Sequence, residues 1–179
     1  MATFKAFAAG VEVNGETVLS VIDGMGPYKQ NGEQILRDNG INDAQAGKWY
    51  PQQAWLNAFK SISEKIGVAT LLAIGKTIPE NAQWPPQIDT IEKALGSIDM
   101  AYHMNHRGGD IGSYKFESTG TNSGKMICNN PYPSEFDQGI IFAVARKFAP
   151  KSVFPSVKLD EHSPTRKNGA DSCTFLVTW

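Results

Sequence analysis

Apolar positions recur along this chain with helical spacing first and with strand spacing later. In Pro51–Ile66, Trp55, Phe59, Ile62 and Ile66 fall four, three and four apart, one stripe of an amphipathic helix. Pro51 suits its first turn and Gly67 its end. Val68–Ile78, with Leu71, Leu72 and Ile74, predicts a second helix closed by Pro79. After a Pro-rich loop that carries Trp84, the stripe Ile88, Ile91, Leu95, Ile98 and Tyr102 predicts a third, running through Met104 to Gly108-Gly109. Nearer the start, residues 4–13 fit a strand, Glu16–Met25 a strand or short helix, and Gln30–Asn39 a helix that stops at Asn39-Gly40.

Beyond residue 110 the pattern changes. Residues 113–118 and 125–128 read as a hairpin around Gly120-Thr121-Asn122-Ser123-Gly124. Ser134, with Asp137 three positions on, predicts a capped helix with Phe136, Ile140, Val144 and Phe148 on its stripe. Residues 153–160 and 171–179 predict two more strands. The class is α+β: a helical N-terminal half packed on an antiparallel sheet formed mainly by the C-terminal half, with one inserted helix. No repeat or linker divides 1–179, so one domain is expected.

Composition narrows the function. Hydrophobic residues make up 41% and charged residues 20%, as in a folded globular chain. With 17 basic and 18 acidic side chains and no run of like charge, nucleic acid and anionic lipid are not expected partners. No segment approaches about 18 apolar residues, so no membrane span is expected. The start, Met1 to Phe7, lacks the apolar stretch of a signal peptide. Two cysteines are too few for a disulfide scaffold, and a reducing cytoplasm is the expected compartment.

Candidate chemistry gathers in the second half. His103, Met104 and His106 are potential axial ligands of a haem beside a Gly-Gly turn, and two histidines three apart would share a helical face. Packing of Met104 and hydrogen-bonded histidines at a helix C-terminus is the plainer alternative. Cys128-Asn129-Asn130-Pro131-Tyr132-Pro133 and Cys173 add two thiols that suit either burial or a metal. Asp110, Glu117 and Asp137 could handle protons, with solvent exposure or helix capping as the default. Among the aromatics, Trp55 and Phe59 suit the core, Trp49 and Trp84 a pocket or the surface. Gly24-Met25-Gly26 is a turn, and no phosphate-binding, zinc-protease or serine-hydrolase signature occurs.

The run Thr165-Arg166-Lys167-Asn168-Gly169-Ala170-Asp171-Ser172-Cys173-Thr174-Phe175-Leu176-Val177, after a hairpin and an amphipathic helix, resembles the end of the 4-vinyl reductase domain. That superfamily also holds haem nitric-oxide-binding domains and a Golgi-transport tethering subunit. The likeness covers roughly residues 100–179 and is topological before that. It implies a domain that encloses a small apolar ligand, often dimerises and frequently senses rather than catalyses. Members that regulate aromatic catabolism hold zinc through cysteines eight positions apart. Here Cys173 matches the second, Thr165 replaces the first, and His162 stands where an acidic ligand is found, so Cys128, His162 and Cys173 are the remaining zinc candidates. The Tyr-x-Ser-x-Arg signature that haem nitric-oxide-binding domains use for the propionates is missing.

These readings predict a cytoplasmic sensor or carrier for an apolar, aromatic or tetrapyrrole (haem-type) ligand. Trp84, Tyr102, His103 and His106 would contact the ligand and Arg107 would meet an anionic group. Two alternatives stand beside it. One is a reductase or isomerase using Asp110 or His106. The other is a ligand-free dimerisation or tethering module.

Overall fold

The computed structural model describes residues 3–179; Met1 and Ala2, part of the leader reading, lie outside them. In chain order the elements are β1 (Glu12–Asn14), α1 (Gly15–Gly24), α2 (Lys29–Asp38), β2 (Trp49–Pro51), α3 (Gln52–Lys65), α4 (Val68–Asn81), α5 (Ile91–Gly96), α6 (Ile98–Met104), β3 (His106–Arg107), β4 (Ser113–Gly120), β5 (Ser123–Asn129), α7 (Ser134–Phe148), β6 (Ser156–Leu159) and β7 (Cys173–Thr178). The α+β class is as the sequence predicts.

The C-terminal sheet is antiparallel in the order β4-β5-β7-β6, with Cys128 opposite Cys173 and Met126 opposite Phe175. Period-two alternation turns Met126 and Cys128 on β5, and Cys173, Phe175 and Val177 on β7, into the core. A second, three-stranded sheet, β2-β1-β3, was not foreseen. In it Val13 lies opposite Tyr50 on one side and His106 on the other. This small sheet ties the start of the chain to the segment after α6, and it sets where His106 points.

Several boundaries differ from the sequence reading for identifiable reasons. Residues 4–11 form turns and only Glu12–Asn14 is strand. The Gln53 side chain accepts from the Ala6 N–H and donates to the Phe4 carbonyl, doing locally what a neighbouring strand would do. Glu16–Met25 is a helix because Asn14 caps it, its Oδ1 accepting from the Thr17 N–H at 2.9 Å. Pro79 does not end α4; its missing N–H costs a single bond, and the helix runs two residues further, to Asn81. The expected third helix breaks at Ser97 into α5 and α6.

Ser134 and Asp137 do not cap α7. The N-cap is Pro133, with no side-chain cap bond. Ser134 Oγ instead meets Cys173 Sγ at 2.9 Å, and Asp137 is buried against Arg166. Inside the core, Trp55, Phe59, Tyr132 and Phe136 pack edge to face around Phe59, with centroids 4.8–5.7 Å from it. Helices α4 and α7 cross at Gly75 and Gly139, close enough that a Cβ on Gly139 would stand 2.4 Å from the Leu72 carbonyl oxygen.

Candidate functional site

The end of α6 separates the two histidines that were expected to share a face. Helix α6 stops at Met104, so His103 stays on its solvent side while His106 enters β3 and turns inward. His103 is exposed; His106 is 8% exposed. His106 Nδ1 lies 2.8 Å from the Tyr102 carbonyl oxygen, and Nε2 lies 2.6 Å from the Tyr132 hydroxyl. A carbonyl only accepts, so Nδ1 carries the hydrogen and the Nε2 lone pair accepts from the Tyr132 O–H. Burial pushes the imidazole down to about 4, which keeps it neutral at pH 7.

That depression sets a pH dependence. An unfolded histidine titrates near 6.5, so below that pH the unfolded chain takes the proton first. The contribution of His106 to stability is complete above about pH 6.5 and is lost progressively down to about pH 4, roughly 3 kcal/mol at full extent. Burial raises Asp137 to about 6, which acts in the opposite sense over a partly shared window. Denaturant titrations of the wild type and His106→Gln between pH 7 and 4.5 separate the two, because the Asp137 effect is common to both. The wild type should lose its advantage over the variant as pH falls; a pH-independent difference rules the assignment out.

Tyr102, His106 and Tyr132 form the polar side of a cavity of about 130 Å³. Its apolar walls come from α4 (Ile78, Pro79), α6 (Ile98) and α7 (Phe136, Ile140, Val144), with Trp84 from the loop after α4. Trp84 is held by its Nε1–H on the Pro79 carbonyl at 2.9 Å and by an edge contact with Phe148, centroids 4.9 Å apart. Helices supply most of its wall, with Tyr114 from the four-stranded sheet and His106 from the three-stranded one. For scale, an engineered apolar cavity of about 150 Å³ takes benzene or xenon.

Behind this wall lies a polar network. Asn130 Oδ1 accepts from the Tyr132 N–H at 2.9 Å, and its amide donates to Asp137. Asp137 also accepts from the Tyr114 hydroxyl at 2.6 Å and from Arg166 at 2.6 and 3.0 Å. Burial raises Asp137, and Arg166, Tyr114 and Asn130 pull it back, so it is ionised at neutral pH. Gln52 and Trp55 are fully buried beside Tyr132; Gln52 donates to its hydroxyl at 3.4 Å, and Gln52 Oε1 and Trp55 Nε1 have no hydrogen-bond partner among the described residues.

The other predicted positions are scattered. Arg107 is exposed, bonded to Glu12 at 2.7 Å and stacked on Trp49 at 4.3 Å, away from the cavity. Met104 is 71% exposed. Asp110 caps its own turn through the Gly112 N–H, and Glu117 pairs with Lys115 and Lys125 on the sheet surface. Cys128 and Cys173 meet across β5 and β7, both buried, and burial pushes the Cys128 thiol up. His162 sits exposed on a loop, and no group of three His, Cys, Asp or Glu side chains suited to a metal occurs among the described residues. Thr165, in place of a cysteine, accepts from the Asn168 N–H. The sequence singles out the run holding Asn130 and Tyr132 without a role for either, and Asp137 only as an acid–base or capping candidate. Gln52, Tyr114 and the pairing of Asp137 with Arg166 carry no signal in it.

No family model and no curated protein matches the sequence. Solved structures do match. An H-NOX protein from S. oneidensis, a variant in the Fe(II) ligation state, aligns over 92% of this chain and 95% of its own at TM-score 0.69 and 13% identity. A variant of T. tengcongensis H-NOX aligns over 92% and 96% at TM-score 0.67 and 15% identity. A structure solved to probe haem distortion in the H-NOX family aligns over 93% and 94% at TM-score 0.69 and 15% identity. This chain has the H-NOX fold.

Haem is the group studied in one of these H-NOX neighbours. One feature suits it: an imidazole whose Nδ1–H is anchored on a carbonyl is oriented as metal-ligating histidines are. The rest does not. At about 130 Å³ the cavity is below the roughly 300–1,000 Å³ of ordinary ligand pockets. The Nε2 lone pair is taken by Tyr132, and no lysine or arginine is among the described residues lining the cavity, so propionates would find no cation. As closed here, the H-NOX fold of this chain does not fit a haem.

Proposed function

We propose that this chain is a single small-molecule-binding domain, a sensor or carrier, which takes a compact apolar or aromatic ligand in the cavity between α4, α6 and α7. The observation that carries this is a buried, neutral imidazole, its Nε2 held by the Tyr132 hydroxyl, at the edge of a mostly apolar hollow. Such a site recognises a ring of about benzene size bearing one hydrogen-bond donor. That donor would take His106 Nε2 in place of the Tyr132 hydroxyl. The proposal places the protein in the cytoplasm, as a homodimer of the 4-vinyl reductase-like kind, without nucleic-acid or membrane partners. No helix among the described residues is long and apolar enough to cross a membrane.

Calorimetric titration with phenol and with toluene tests it. Phenol should bind saturably at one per chain, and His106→Leu should weaken it about tenfold, the worth of one hydrogen bond. Toluene should be little affected by the substitution. Absence of saturable binding by either ring, or phenol binding indifferent to His106, would sink the reading.

A haem ligand is the second reading, favoured by the anchored Nδ1–H of His106 and by the haem of the solved H-NOX neighbours. It needs Tyr132 to leave the imidazole and the cavity walls to part. Titration with haemin decides: a visible haem band that saturates at one equivalent and disappears in His106→Leu favours haem, and its absence favours the compact ligand.

A further inference from the structure

The outer side of α6 carries a side-chain set that the cavity does not use. Met100, His103 and Met104 occupy positions i, i+3 and i+4, which places them within about one-third of the helix circumference, with the Met100 Cβ roughly 5–6 Å from those of His103 and Met104. Two thioethers stand in the open, Met100 56% and Met104 71% exposed, on a helix whose other face buries Ile98 and Tyr102.

The imidazole beside Met100 is held in one tautomer. His103 Nδ1 lies 2.9 Å from the Asp99 carbonyl oxygen, which can only accept, so Nδ1 carries the hydrogen and Nε2 presents its lone pair to solvent. A metal-ligating histidine is oriented in the same way, by a hydrogen bond from its other ring nitrogen. Asp99 adds its carboxylate, with Oδ2 3.6 Å from Nδ1, while Oδ1 is fixed by the Tyr114 N–H at 2.7 Å.

We propose that Met100, His103 and Met104 bind one soft monovalent cation of the Cu(I)/Ag(I) class. Thioether sulfur is a soft, uncharged donor that hard cations and zinc bind poorly, and imidazole completes a three-donor set suited to Cu(I). The methionine side chains have three rotatable bonds each and can close on the ion without moving the helix. The Asp99 carboxylate offsets the charge of the bound ion. The two thiols that would compete, Cys128 and Cys173, are fully buried.

The test uses the full chain labelled with ¹³C at the methionine methyls, titrated with silver nitrate in chloride-free buffer. The Met100 and Met104 methyls and the His103 ring signal should shift together and stop at one equivalent, with Met25 and Met126 unmoved. Met100→Leu with Met104→Leu should abolish uptake without changing the melting temperature, and zinc should leave every one of these signals in place. Silver uptake that survives the double substitution, shifts at the buried methionines, or an equal response to zinc would each overturn the proposal. The cavity titrations with phenol are independent of all of these outcomes.

Discussion

Replacing Asp137 by alanine is expected to cost about 3–5 kcal/mol of folding stability, the range for leaving one partner of a buried ion pair alone. Arg166 is 3% exposed, its Nε has no partner among the described residues, and Asp137 takes two of its remaining donors. Removing the carboxylate strands that cation and also frees the Tyr114 hydroxyl and the Asn130 amide. Asp137→Leu combined with Arg166→Met should recover a large part of the loss, because the charge and its desolvation then leave together. Urea denaturation at pH 7 reads both. A loss below about 1 kcal/mol in the single variant would show that the pair is not what holds this corner of the fold.

Gly139→Ala should be the next most damaging change, about 3 kcal/mol, the upper part of the range for overpacking. The added methyl meets the Leu72 carbonyl oxygen at 2.4 Å and Gly75 Cα at 3.0 Å, backbone atoms that no rotamer change can move aside. Helices α4 and α7 must then separate. Because Ile78 and Pro79 on one and Ile140 and Val144 on the other are facing walls of the cavity, the variant should also bind phenol more weakly. Thermal unfolding and the same calorimetric titration check the two effects. A variant with wild-type melting temperature would mean that the helix crossing is looser than these distances state.

Much of the fold was legible because it is written in local periodicity. Trp55, Phe59 and Ile62 recur at helical spacing and are all buried on one face of α3, and the alternation in residues 123–129 and 173–178 yields paired strands. The aromatics divide as read: Trp55 and Phe59 in the core, Trp84 at the cavity, Trp49 at the surface under Arg107. What local spacing could not express is where a helix stops short of its stripe. The stripe through Ile91, Leu95, Ile98 and Tyr102 continues across Ser97, yet the backbone breaks there, and the end at Met104 decides which histidine is inside.

The site itself was half legible. Tyr102, His106 and Trp84 were singled out and do line the cavity; His103 and Arg107 were singled out and face solvent. Tyr132, Asn130 and Gln52 were not assigned a role, because their importance comes from partners far away in the chain: His106 for Tyr132, Arg166 for Asn130, Tyr132 for Gln52.

By itself the sequence determined an α+β fold with helices first and an antiparallel sheet last, since hydrophobic periodicity alone dictates which face of each element must be buried. Only the tertiary structure decided that Val13 pairs with His106, that the imidazole therefore turns inward to Tyr132, and that the hollow beside it is small. Those outcomes depend on backbone hydrogen bonds and helix approaches between residues up to about a hundred positions apart, and no local pattern encodes a distance across the fold.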